Sequence, residues 1–186
     1  MEEMNKRFLM LLLIAPLICI GQKDSLITFS EVVKVDSVNQ NELFNRARLW
    51  VNDNFRSGKD VSQIIDKESG TITGNGVFKE RFYLYQMIKT KFTGIFSFDF
   101  KIFVKDGKYK YVFTSIKHIG FEENNTNESL GYLTSSEVCP VSFPLFSKNK
   151  MNQTWASAKM AATINVEKQI GTLKMAMSKV TESTNF

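Results

Sequence analysis

Hydrophobic and polar positions change period several times along the chain, and each change predicts an element. An unbroken uncharged run of 13 residues, Phe8 to Ile20, comes first. Ile27, Phe29, Val33 and Val35 then alternate onto one side, interrupted by Glu31, which predicts a strand. Leu43, Phe44, Ala47, Trp50, Val51 and Phe55 recur at steps of three and four, which predicts a helix over 41–55 with one buried stripe. Ser37 or Asn39 is placed to cap it, Arg46, Arg48, Asn52 and Asp53 take the solvent side, and Ser57-Gly58 ends it.

Two short strands follow, 61–66 and 71–78, joined by the turn Glu68-Ser69-Gly70. Gly74 and Gly76 in the second predict a bulge or a close backbone approach. Residues 79–93 carry Phe82, Tyr83, Leu84, Tyr85, Met87, Ile88 and Phe92. This stretch suits an extension of the strand, a short helix or an embellishment at the sheet edge.

Asp106-Gly107 marks a tight hairpin within 94–118. A two-residue turn there sets Lys105 opposite Lys108, Ile102 opposite Tyr111 and Phe100 opposite Phe113. One face then holds Phe96, Phe98, Phe100, Ile102, Val104, Tyr109, Tyr111 and Phe113 and must be buried. The other holds Ser97, Asp99, Lys101, Phe103, Lys110, Val112, Thr114 and Ile116, a mixed surface expected to be partly wet. Residues 122–140, rich in Asn, Glu, Ser and Gly, read as a long surface loop. Residues 141–146, with Pro144, read as an extended piece docked on the domain. A long helix over 149–179 has the apolar line Trp155, Ala158, Ala162, Val166, Ile170, Leu173 and Met177, with Gly171 as a candidate bend. Residues 181–186 form a frayed tail.

Charge and length change the meaning of the opening run. Lys6 and Arg7 precede it and Cys19 and Gly21 close it, the layout of a secretory signal peptide over 1–21. At 13 residues, with Pro16 inside, it is short of the roughly 20 needed to span a bilayer. An uncleaved anchor and lipidation at Cys19 are the rivals; Leu17 and Ile18 are not the small residues lipidation requires. Cleavage leaves residues 22–180 as one domain and directs the protein outside the cytoplasm, to the periplasm or cell surface, with membrane contact at most peripheral. It removes Glu2, Glu3, Lys6 and Arg7, so the net charge of +5 is unchanged. Lys79, Arg81, Lys89, Lys91, Lys101, Lys105, Lys108, Lys110 and Lys117 carry much of the excess, as a solvated surface or as an attraction for anionic lipid or polysaccharide. Only Cys139 remains after cleavage, so an internal disulfide is excluded and the core must supply the stability.

The order strand, helix, two strands, aromatic hairpin, loop and Trp-bearing helix resembles a known family. The pieces that carry the likeness are "ITFSEVVKVDSVNQNELFNRARLWVNDNF", "GTITGNGVFK" and "FSFDFKIFVKDGKYKYVFTSIKH", over roughly residues 27–118. They resemble exported Bacteroidota proteins with a domain of unknown function described as having a TBP-like fold. The resemblance implies an α+β fold: a curved antiparallel sheet in the order β-α-β-β-β-β-α with helices packed on one face. Residues 79–93 are longer and more aromatic than that pattern. The family brings no activity, and a TBP-like fold does not imply DNA binding.

Candidate chemistry is sparse. His118 is the only histidine, read as a partly exposed residue at a strand end. With Cys139 it makes neither a zinc site nor a nucleophilic dyad with a lowered thiol pKa. Asp60, Asp66, Glu68, Asp99, Glu122 and Glu123 include only one carboxylate in a central strand, Asp99, expected across from Thr114; glycosidic hydrolysis needs two at about 5–10 Å. Gly74-Asn75-Gly76 lies in a strand and lacks a following Lys-Ser/Thr, so it is no phosphate cradle. Lysines interleave with aromatics in the hairpin, but the two point to opposite faces, and export argues against nucleic acid. No metal, cofactor or catalytic set is expected. The expected function is a binding or interaction module of the cell envelope that contacts an envelope protein or a small apolar ligand. The ligand-binding candidates are Asp99, Phe103, Val112, Thr114 and Ile116. A structural accessory of an envelope assembly, docking through an edge strand or 79–93, is the alternative, and a carboxylate hydrolase ranks last.

Overall fold

The computed structural model describes residues 24–55, 63–78, 92, 94–120, 128–144 and 146–179. The opening run, most of 79–93 and the tail therefore lie outside the described residues. The elements are β1 (Phe29–Lys34), α1 (Gln40–Asn54), β2 (Gln63–Asp66), β3 (Thr71–Val77), β4 (Gly94–Lys105), β5 (Lys108–Gly120), β6 (Gly131–Tyr132) and α2 (Lys148–Ser178). All strand pairs are antiparallel, in the order β1-β5-β4-β3-β2, with β6 pairing β5 beyond the end of β1. The fold class is the expected α+β, with one strand more.

The hairpin follows its turn chemistry. Gly107 takes φ 69°, a conformation that costs glycine nothing, and Lys105 faces Lys108, Ile102 faces Tyr111 and Phe100 faces Phe113. The turn is tied to the start of α1. Gln40 N–H donates to Asp106 Oδ1 at 2.7 Å, Gly107 N–H to Val38 O at 2.9 Å, and Val35 N–H to Gly107 O at 2.9 Å. Asn39 is the cap, its side chain accepting from Glu42 N–H at 2.9 Å.

The core lies between one sheet face and the two helices. Phe96, Phe98, Phe100, Ile102, Val104, Tyr109, Tyr111 and Phe113 are all buried there, as the alternation requires. The stripes of α1 and α2 close over them. Trp155, Ala158, Val166, Leu173 and Met177 have no exposed surface. Trp50 Nε1 donates to Thr172 Oγ1 at 3.0 Å. Arg46 is not on the solvent side as expected: it bonds Glu42 and donates to Met177 O at the end of α2, 2.8 Å each, satisfying a terminal carbonyl. Helix α2 runs through Gly171 without a break.

The second half of β5 departs from the expected alternation. Ser97 pairs with Lys117 but Asp99 pairs with Thr114, so β5 has one residue too many between them. Ser115 takes φ 53° and makes the bulge, which reverses the facing of everything after it. Ile116, expected on the mixed face, is fully buried, and so is His118, expected to be partly exposed. β3 itself keeps an unbroken register with β4 through Gly74 and Gly76. Gly76 instead provides room: a Cβ there would stand 2.8 Å from the Phe98 ring and 3.1 Å from that of Phe55.

Residues 128–140 are not a plain surface loop. Leu130 and Leu133 are buried, β6 lies between them, and Thr134 bridges to Leu26. The described residues of the 141–146 piece dock as expected, Phe143 and Phe146 packing on Phe92 at ring distances of 5.2 and 5.9 Å. No described helix is long and apolar enough to cross a membrane.

Candidate functional site: the open face of the sheet

Both helices pack on one side of the sheet, no described helix lies on the other, and four of the five sequence candidates are on that other side. Asp99 is exposed; Phe103, Val112 and Thr114 are half-buried. Ile116 leaves the set because the Ser115 bulge turns it into the core.

Register sorts this face into rows. Thr28, Thr114, Asp99 and Asn75 form a polar row, with the hydroxyls of Thr28 and Thr114 2.8 Å apart. Asp99 therefore stands across from Thr114 as expected, and its other registered neighbour is an amide, so no second carboxylate is paired with it. The next row is Ser30, Val112, Lys101 and Thr73. Beyond it come Val32, Lys110, Phe103 and Thr71. The last row is entirely basic: Lys34, Lys108 and Lys105 stand level on β1, β5 and β4.

The apolar pair and the lysines make one surface. Val32 is 57% exposed, and a shallow depression of ≈ 420 Å³ is lined by Val32, Phe103, Lys105, Lys108, Tyr109 and Lys110. The four lysines Lys34, Lys105, Lys108 and Lys110 are exposed and make no ion pair among the described residues. Like charges directly opposite one another in a sheet destabilise it, typically by a few tenths to about 1 kcal/mol per pair. Sequence reasoning had Lys105 facing Lys108 but missed Val32 and Lys34. Their place on this surface depends on β1 pairing with β5, which no local pattern encodes.

Away from this face, His118 and Cys139 are both buried. His118 Nδ1 accepts Leu130 N–H at 3.1 Å, which ties β5 to the segment before β6. Burial pushes its pKa down to about 4, partly opposed by a hydrogen bond to the Phe92 backbone. It is a neutral core histidine rather than an acid–base group at neutral pH. Burial pushes the Cys139 thiol up, away from the thiolate a nucleophile needs. Among the described residues no group of three His, Cys, Asp or Glu side chains is placed to hold a metal.

A second depression, ≈ 510 Å³, lies between α1 and α2 along Leu49, Trp50, Asp53 and Met175. Several of its polar groups already serve the fold: Arg46 bonds Glu42 and Met177, Trp50 bonds Thr172, and Asn54 bonds Trp50 O.

Two solved structures share this architecture. A TBP-like protein from Parabacteroides distasonis superposes with a TM-score of 0.55 at 18% identity, over 87% of this chain and 99% of that one. A DUF4468 family protein from Bacteroides ovatus superposes with a TM-score of 0.61 at 14% identity, over 83% of this chain and 88% of that one. At such identities the likeness concerns the fold. No curated protein sequence matches the chain. The family model for the domain of unknown function DUF4468, with TBP-like fold, matches residues 29–118, the span from the start of β1 to the buried His118. Over residues 29–118 the chain therefore carries a DUF4468 domain of unknown function, and the sheet order and both structural neighbours agree with its TBP-like fold.

Proposed function

We propose that the protein is an exported, non-catalytic binding module of the cell envelope, and that its open sheet face docks an envelope protein through an acidic segment. The observation that carries this reading is the level row Lys34, Lys108 and Lys105 beside Val32 and Phe103. Three lysines abreast work against the sheet, and an acidic partner relieves that repulsion. Val32 and Phe103 offer it apolar area in the same patch. An internal small ligand is less well supported, because Phe98, Phe100, Phe113 and Trp155, each 1% exposed or less, fill the space between sheet and helices. Export rests on Lys6, Arg7 and the run Phe8–Ile20.

A second reading, a structural accessory that docks by an edge strand, draws on β2. Ile64 and Ile65 on this outer strand are 68% and 45% exposed.

The first reading is tested by a photo-cross-linking side chain at Val32 in the full chain, illuminated in the host cell. It predicts a discrete protein adduct in the envelope fraction that is absent when the cross-linker is at Leu49, on the helical side. Equal adducts from both positions, or none from Val32, would refute it.

A further inference from the structure

Strand β1 ends the sheet order, and no described strand lies beyond it. Its hydrogen-bonding phase is fixed on both sides. Val35 N–H, just after the strand, donates to Gly107 O, and Ile27 N–H, just before it, donates to Leu133 O. The register between β1 and β5 is unbroken from Phe29 to Lys34. In an antiparallel pair the residues alternate: one turns both backbone groups to the partner strand, and the next turns both away. Phe29, Glu31 and Val33 are in phase with Ile27 and Val35 and bond β5. Ser30, Val32 and Lys34 therefore point N–H and C=O out of the sheet, and these groups have no partner among the described residues.

The same three residues set their side chains on the open face, and all three are exposed. A row of unpaired backbone groups is a template for a further strand, and folds usually blunt it with charge. Here the charge selects what can pair. A strand added beside β1 brings every second side chain level with Ser30, Val32 and Lys34 on the open face. A carboxylate level with Lys34 stands about 5 Å from it and sets an opposite charge at the end of the row Lys34, Lys108 and Lys105. The side chain two residues along is then level with Val32, where an apolar group fits.

A second copy of this chain does not supply such a strand. Glu31 is the only acid in β1, and it faces the core side, where Tyr111 and Lys174 hold it at 2.6 and 2.7 Å. Asp66 ends the other outer strand, β2, and accepts from Glu68 N–H and Ser69 N–H at 3.0 and 3.2 Å. Both carboxylates at the sheet edges are thus engaged within the fold.

We infer, on the reading that the lysine row receives an acidic segment of an envelope protein, that this segment docks as an additional strand along the outer edge of β1, with a carboxylate level with Lys34 and an apolar side chain level with Val32. Main-chain hydrogen bonds to Ser30, Val32 and Lys34 hold it in register, and the lysine and the valine select its sequence.

The test uses the full chain in the host cell with a photo-cross-linking side chain at Val32, combined with Ser30→Pro or Ser30→Ala. Proline removes an N–H that the fold leaves unused, a place where edge strands accept it, and alanine keeps that N–H. Ser30→Ala is expected to keep the protein adduct, and Ser30→Pro to lose it with an unchanged circular dichroism spectrum. Lys34→Glu is expected to lose it as well. Amide hydrogen exchange of the purified full chain is read in parallel: Ser30, Val32 and Lys34 should exchange freely, and Glu31 and Val33 should be protected. An adduct undiminished by Ser30→Pro or Lys34→Glu would overturn the inference, and with Ser30→Pro it would leave open-face docking standing. Protected amides at Ser30, Val32 and Lys34, or an adduct with the mass of two copies of the chain, would overturn it whether or not the proline variant folds. No adduct from the otherwise unaltered chain would refute open-face docking itself.

Discussion

The Tyr111 hydroxyl donates to Glu31 Oε2 at 2.6 Å, and the same oxygen accepts from Lys174 Nζ at 2.7 Å. Glu31 is the charge that interrupts the apolar side of β1. It is tolerated there because β1 borders the core, where it bridges β5 to the last turns of α2. The hydrogen bonds from Lys174 and Tyr111 hold its carboxyl below the usual range, and burial together with Glu31 pushes the Tyr111 phenol up. Tyr111→Phe is expected to cost about 1 kcal/mol, the usual net value of one hydrogen bond, and to raise the Glu31 pKa. Denaturant unfolding and a carboxyl NMR titration check the two parts. The lowered carboxyl adds stability above its ordinary pKa that is lost as pH falls through the lowered value.

Ser115 sets the facing of the second half of β5. A left-handed backbone suits glycine better than serine and strongly disfavours a β-branched residue. Ser115→Gly is therefore expected to leave the protein as stable or up to about 1 kcal/mol more stable. Ser115→Val is expected to cost about 1–2 kcal/mol. Unfolding midpoints of the two variants decide the matter; equal tolerance would mean the bulge is not fixed at this residue.

The facing itself is testable on adjacent residues. Phe100 is 1% exposed and Lys101 is exposed. Phe100→Asp should prevent folding and Lys101→Asp should be tolerated. After the bulge the same contrast applies to Ile116→Asp, which should prevent folding, and Lys117→Asp, which should not. Circular dichroism of the four variants reads this directly.

His118 makes stability depend on pH. Its pKa is about 4 in the folded protein against 6.5 for the free side chain. Below pH 6.5 the unfolded chain takes up a proton that the folded one refuses, so stability falls with pH until the folded histidine protonates near pH 4. The loss across that window is about 3 kcal/mol. Denaturant unfolding of the wild type and of His118→Gln from pH 7 to pH 4 isolates this contribution. A wild-type curve as flat as the variant's would contradict the buried neutral histidine.

Much of this was legible in the sequence where the determinants are local. Asp106-Gly107 fixes the hairpin register, and the three-and-four spacing of Leu43 to Phe55 and of Trp155 to Met177 fixes both helices. The likeness to the TBP-like family was carried by the same segments. What escaped depends on contacts distant in sequence. Val32 and Lys34 reach the basic row only because β1 pairs with β5, nearly eighty residues away. The bulge was hidden because Thr114 and Ile116 continue the alternation, and only the backbone at Ser115 breaks it. Leu130 and Leu133 were the available signal that 128–140 docks on the core, overshadowed by the polar residues around them.

The central claim is that the open sheet face, through its lysine row, is what the protein binds with. Lys108 lies between Lys34 and Lys105, so Lys108→Glu replaces two repulsive neighbours with two attractive ones. The fold should keep its stability or gain up to about 1 kcal/mol. The most direct measurement is the yield of the Val32 photo-adduct in the host envelope with and without Lys108→Glu. Loss of the adduct from a protein at least as stable is the predicted result, and an undiminished adduct would contradict the account.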